Sequence, residues 1–88
     1  IYNYLGFSYR KIGNLEKASQ YYNKALEISP KHKGALEYQG EMFLTQGNLE
    51  KAEANLKKLK KICYLGCKEE KMLKESIMKY NKGQKSSY

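Results

Sequence analysis

Gly13-Asn14-Leu15-Glu16-Lys17-Ala18 recurs unchanged as Gly47-Asn48-Leu49-Glu50-Lys51-Ala52, 34 residues further along an 88-residue chain. At the same offset Gly6 is answered by Gly40, Lys24 by Lys58 and Ile28 by Ile62. An unbroken six-residue identity reinforced by three outlying ones marks an internal repeat. A period of this length belongs to one supersecondary unit used more than once.

Each copy reads as two helices joined by a tight turn. Tyr2, Leu5 and Tyr9 fall at spacings of three and four, as one face of a helix requires. Gly13-Asn14 breaks that helix: glycine tolerates the positive φ of a helix C-terminus, and asparagine caps the helix that follows. Leu15, Ala18, Tyr22, Ala25 and Ile28 carry the same period onward, and Pro30 ends it by pushing Ser29 out of the α region. The second copy repeats the pattern with Leu36, Gly40 and Phe43 before Gly47-Asn48. Leu49, Ala52, Leu56, Leu59 and Ile62 come after it. Gly6, Gly40, Ala18 and Ala52 are the small residues expected where the helices of each hairpin cross closely, and a larger side chain there would overpack the crossing.

Beyond the second copy, Gly66 interrupts the helix, and residues 67–81 are expected to form a capping helix. Leu73, Ile77 and Tyr80 make its apolar side, and Lys68, Lys71, Lys74 and Lys82 keep much of the rest wet. Glu69 and Glu70 in its first turn and Lys79 near its end suit the helix dipole. Residues 82–88 lack periodicity and read as a disordered tail. The organisation expected is therefore a first unit over 1–32, a second over 33–66, the cap over 67–81 and the tail over 82–88.

These residues together resemble the tetratricopeptide repeat. Its signature runs aromatic, Leu-Gly, Tyr, Ala, aromatic and Pro within a 34-residue unit. Tyr2, Leu5-Gly6, Tyr9, Gly13, Ala18, Tyr22, Ala25 and Pro30 occupy those places in the first copy. The second copy matches at Gly40, Phe43, Gly47 and Ala52 and places Leu56 at the aromatic position. It departs at Leu36, Gln39, Leu59 and Tyr64. The resemblance implies an all-α, right-handed helix-turn-helix solenoid fragment of about five helices that serves as a scaffold for protein–protein interaction. In that family the first helix of each repeat lines a concave groove that holds a peptide or protein segment. The corresponding positions are Asn3, Tyr4, Phe7, Arg10 and Lys11 in the first copy and Glu37, Tyr38, Glu41, Leu44 and Thr45 in the second. The Lys/Asn clamp by which some members hold a partner's C-terminal carboxylate has no counterpart at Asn3, Phe7 and Tyr38.

Net charge is +8, spread as +3 over residues 1–32, +2 over 33–66 and +3 over 67–88. Such spreading, with Glu27/Lys31, Glu53/Lys57, Glu70/Lys74 and Glu75/Lys79 in the favourable i, i+4 order, describes a solvated helical surface. Nucleic-acid or anionic-surface binding through Lys57, Lys58, Lys60, Lys61, Lys68 and Lys71 ranks below peptide binding for that reason. Self-assembly through Tyr2, Leu5 and Tyr9 is the other alternative, giving a homo-oligomer. No apolar run approaches the roughly 18 residues that cross a bilayer. The opening Ile1-Tyr2-Asn3-Tyr4-Leu5 has no initiator Met or charged leader and reads as that of a fragment or processed chain.

No catalytic constellation is expected. The chain has no Asp and one His, so a Ser-His-Asp triad cannot be built, and no Gly-rich phosphate loop occurs. His32 reads as a solvated loop residue, and neither metal nor cofactor is expected. Cys63 and Cys67 admit two readings: buried free thiols, or a disulfide across Tyr64-Leu65-Gly66 that staples the cap to the second unit. The free-thiol reading fits the cytosol and the disulfide an oxidising, periplasmic or exported setting.

Overall fold

The computed structural model describes residues 1–83, and in them the repeated hexapeptide makes the same turn twice. Five helices result: α1 (Tyr2–Lys11), α2 (Leu15–Ile28), α3 (Lys33–Thr45), α4 (Leu49–Ile62) and α5 (Lys68–Asn81). No strand occurs among the described residues. Gly13 and Gly47 stand at φ +88° and +77°, where a side chain would be strained. Each α1–α2 and α3–α4 junction is a Schellman turn: Gly13 N–H bonds Arg10 O and Asn14 N–H bonds Tyr9 O, matched by Gly47 on Leu44 and Asn48 on Phe43. Asn14 Oδ1 then accepts from Lys17 N–H at 3.1 Å, and Asn48 Oδ1 from Lys51 N–H at 3.2 Å. Losing either cap costs roughly 1 kcal/mol.

The other junctions also follow local chemistry. Ser29, ahead of Pro30, takes φ −132° and ψ 86° and ends α2. His32 is exposed, as expected for a loop residue, yet it is also the N-cap of α3, its Nδ1 accepting from Ala35 N–H at 3.1 Å. Lys31 lies past the end of α2, so Glu27/Lys31 is not a pair within one helix. Lys82 and Gly83, read as the start of the tail, form the turn that closes α5, with Gly83 N–H on Tyr80 O at 2.9 Å. Residues 84–88, the rest of that expected tail, lie outside the described residues.

Packing follows the repeat. α1 pairs with α2, α3 with α4, and α3 rests on both helices of the first pair. α5 rests on α3 and α4 in the same way. It therefore fills the place of a third unit's first helix. The sequence register agrees: Leu73 and Ile77 stand 34 residues beyond Gln39 and Phe43. At the position of Gly6 and Gly40, α5 carries the exposed Lys74, whose bulk and charge oppose a further helix crossing there.

Two apolar clusters hold the layers. Ala18, Tyr22 and Met42 form one, and Leu36, Leu44, Ala52, Leu59, Leu73 and Ile77 the other, with Phe43 packed against both. Each fully buried large side chain contributes on the order of 1.5–3 kcal/mol. Ala18 and Ala52 are fully buried. A Cβ on Gly6 would lie 2.7 Å from the Tyr22 ring, so that glycine does serve its own hairpin. Gly40 differs from expectation. The atoms nearest its missing Cβ are Leu73 Cδ1 and Cδ2 at 2.7 Å, so its small size seats α5 rather than α4.

Candidate partner-binding face

The ten positions that the repeat register assigns to a groove do not share one environment. Tyr4 (74% exposed), Lys11 and Thr45 are open to solvent; Asn3, Phe7 and Tyr38 are half-buried. Arg10, Glu37, Glu41 and Leu44 are buried. These four do not present side chains to a partner, because α1, α3 and α5 pack closely enough to enclose them. They make the floor beneath the face.

Three of the four form a charged network inside that floor. Arg10 Nη2 donates to Thr45 Oγ1 at 3.0 Å, which fixes α1 against α3. Ser76 Oγ donates to Glu41 Oε2 at 2.6 Å, which fixes α5 against α3. Glu37 and Glu41, one helical turn apart, are hydrogen-bonded to each other. Burial pushes the Glu37 carboxyl up to about 8. The Glu41 hydrogen bond and charge, and then Glu69, add to that rise, and Arg10 opposes it. At neutral pH the proton on Glu37 lets two carboxyls share one dry site. Burial also pulls the Arg10 guanidinium below its ordinary value, opposed by Tyr22, then Glu41 and Glu37.

A second polar line crosses the layers. Gln39 Nε2 donates to Asn23 Oδ1 at 2.9 Å, while Asn55 Nδ2 donates to Gln39 Oε1 at 2.8 Å and to Leu36 O at 3.1 Å. Gln39 stands where the family pattern has Leu, and this network is what the exchange serves: α2, α3 and α4 are tied in one register. Such buried amides are satisfied and structural.

Above the floor, aromatic side chains join α1 to α3. The Phe7 and Tyr38 rings lie with centroids 5.0 Å apart at 32°, and Lys11 Nζ sits 5.3 Å from the Phe7 centroid. Tyr38 therefore both packs against the core and pairs outward. Elsewhere Tyr21 stacks between Tyr2 and Tyr9, at 6.2 and 5.4 Å, with Lys24 and Lys17 over the outer rings. Leu5 is half-buried like Tyr2 and Tyr9, so these three are not a free apolar stripe. The outward apolar residues of the first helix pair are Ile1, Tyr4, Ile12 and, at the end of α2, Ile28.

Cys63 and Cys67 are joined as a disulfide across the Tyr64-Leu65-Gly66 turn, their Cα atoms 5.6 Å apart. No cluster of three or more His, Cys, Asp or Glu able to hold a metal occurs among the described residues. No described helix is long and apolar enough to cross a membrane.

The family model for the tetratricopeptide repeat matches residues 1–32. No curated protein and no solved structure matches the chain.

Proposed function

We propose that the chain grips a peptide or protein segment along the α1–α3 face, because residues 1–32 match the tetratricopeptide repeat, whose repeats generally mediate protein–protein interaction. The observation that carries this reading is the half-exposed Phe7–Tyr38 pair with Lys11 over it, bridging two successive first helices. An aromatic pair already held in place loses little freedom on binding, which favours it as an anchor. Tyr4 and Thr45 flank the pair in solvent. The enclosed network of Arg10, Glu37 and Glu41 supports the face from below. Members of the family are typically non-enzymatic scaffolds, and the chemistry proposed is recognition without a reaction. A persisting Cys63–Cys67 disulfide belongs to an oxidising compartment, so this reading puts the partner there as well.

Selection of binders from a displayed peptide library, followed by titration of variants, tests the proposal. Phe7→Ala and Lys11→Glu are expected to weaken a selected peptide by about tenfold or more, with helical circular dichroism unchanged. Selected peptides that bind both variants with wild-type affinity would place the binding elsewhere. The exposure of Ile1, Tyr4 and Ile12 favours a second reading, pairing of two copies through the outer side of α1. Light scattering over a concentration series distinguishes it: a monomer throughout leaves only the first reading.

A further inference from the structure

The junction between α4 and α5 is the repeat counterpart of the junction between α2 and α3, which provides an internal comparison. In Ser29-Pro30-Lys31-His32 the His32 N–H bonds Ser29 O at 2.9 Å, so Pro30 and Lys31 take the corner of the turn. In Cys63-Tyr64-Leu65-Gly66 the Gly66 N–H bonds Cys63 O at 2.7 Å, so Tyr64 and Leu65 take the same corner. Turn corners favour proline, glycine and small polar residues. Here the corner carries two large apolar side chains, 82% and 86% exposed, and neither belongs to a core cluster. Gly66 at φ +89° and the Cys63–Cys67 bridge hold the corner in shape. Tyr64 and Leu65 bury little surface in the fold, and the first unit closes the equivalent i to i+3 hydrogen bond with Pro30 and Lys31 in their places.

Lysines dominate the sequence on either side of the corner, between Glu53 and Glu69. No acidic residue occurs from Ala54 to Lys68, a stretch that carries Lys57, Lys58, Lys60, Lys61 and Lys68, all exposed. The nearest acids beyond it, Glu69 and Glu70, are half-buried in the first turn of α5. We propose that this disulfide-closed corner is an anchor for an anionic lipid surface, with Tyr64 and Leu65 entering the headgroup region and the flanking lysines meeting lipid phosphates. Its shape favours a bilayer over a protein: the corner projects, and a fluid interface accepts a projection without a matching pocket. Weak apolar insertion reinforced by basic residues is the two-signal form that membrane anchoring takes. Tyrosine, with an apolar ring and a polar tip, suits the interface.

The test uses the full chain and flotation with vesicles of phosphatidylcholine alone or mixed with phosphatidylglycerol. Wild type is expected to float with the anionic vesicles, at least about tenfold more than with the neutral ones, and less as salt rises. The double variant Tyr64→Pro, Leu65→Lys transplants the first unit's corner and adds a positive charge. It is expected to bind at least about tenfold more weakly, whereas a purely electrostatic surface would bind as well or better. The chain has no Trp, so Leu65→Trp supplies a single reporter, expected to shift its emission to the blue on anionic vesicles. This second variant decides the matter if the transplanted corner proves unstable. Equal flotation with both vesicle types, undiminished binding by a folded transplant, or an unshifted Trp emission would each overturn the proposal. Failure on vesicles together with binding to an acidic protein would assign the corner to a protein partner instead.

Discussion

Gly40 on α3 and Leu73 on α5 occupy one space: a Cβ on the glycine would stand 2.7 Å from both Leu73 methyls, closer than carbon atoms approach. Leu73 is fully buried, so it cannot swing into solvent to make room. Gly40→Ala is expected to destabilise the chain by roughly 1–3 kcal/mol, despite alanine's better helix propensity, and shortening the opposite residue with Leu73→Val should recover part of that. Urea midpoints of the two single variants and the double variant check the pairing. Strict additivity would mean that the two residues do not share this space.

Glu37 gives the stability of the protein a pH dependence with a defined sign. Its carboxyl titrates near 8 when folded against an ordinary 4.5, so the folded chain binds more protons between those values. Stability contributed by this group is full below about 4.5, falls as pH rises and levels off above about 8. Glu37→Gln imitates the neutral form. It should unfold later than wild type at pH 9, by up to a few kcal/mol, and show little advantage at pH 4. Urea titrations at several pH values measure the difference between the two curves.

Tyr22 fills the aromatic place of the first unit, but its hydroxyl is buried and has no hydrogen-bond partner. Burial raises the phenol well above its ordinary value. Tyr22→Phe keeps the ring that packs on Gly6 and removes the unsatisfied oxygen. The variant is expected to gain about 1 kcal/mol in thermal or urea unfolding.

The Cys63–Cys67 bridge closes a very short loop, so its removal should cost no more than about 2 kcal/mol in the chain-entropy picture. Trypsin cuts after Lys61 and Lys68 and leaves both cysteines in one peptide. Without reductant that peptide is expected two hydrogens lighter and resistant to alkylation. Cys63→Ser with Cys67→Ser should remain folded, with its loss confined to that small margin.

Much of the architecture was legible because a local signal was written twice. Gly13-Asn14 and Gly47-Asn48 each encode a positive φ and a side-chain cap, which depend on the nearest few residues and little else. The apolar spacing of α2 and α4, and the interruption at Gly66, were legible for the same reason. Burial of the groove positions was not. Arg10, Glu37 and Glu41 are charged residues whose burial depends on neighbouring helices: α3 packs over Arg10 through Thr45, and α5 reaches Glu41 through Ser76. The signal that could have revealed this was Leu73 and Ile77 at the repeat offset from Gln39 and Phe43. That spacing stacks the last helix as a third unit's first and covers α3. The repeat alone places Gly40 in its own hairpin, because a two-unit pattern carries no third layer for it to face. The two readings of Cys63 and Cys67 stayed open because spacing alone does not fix the turn between them.

Side chains placed at the repeat interval seat each first helix against the next, and the proposed partner face along α1 and α3 depends on that seating. Nuclear Overhauser effects between the Gly40 α-protons and the Leu73 methyls in solution test this most directly. Strong cross-peaks, with α5 amides protected from exchange, are the predicted result. Absence of those cross-peaks, with α5 amides exchanging as a free helix would, contradicts it.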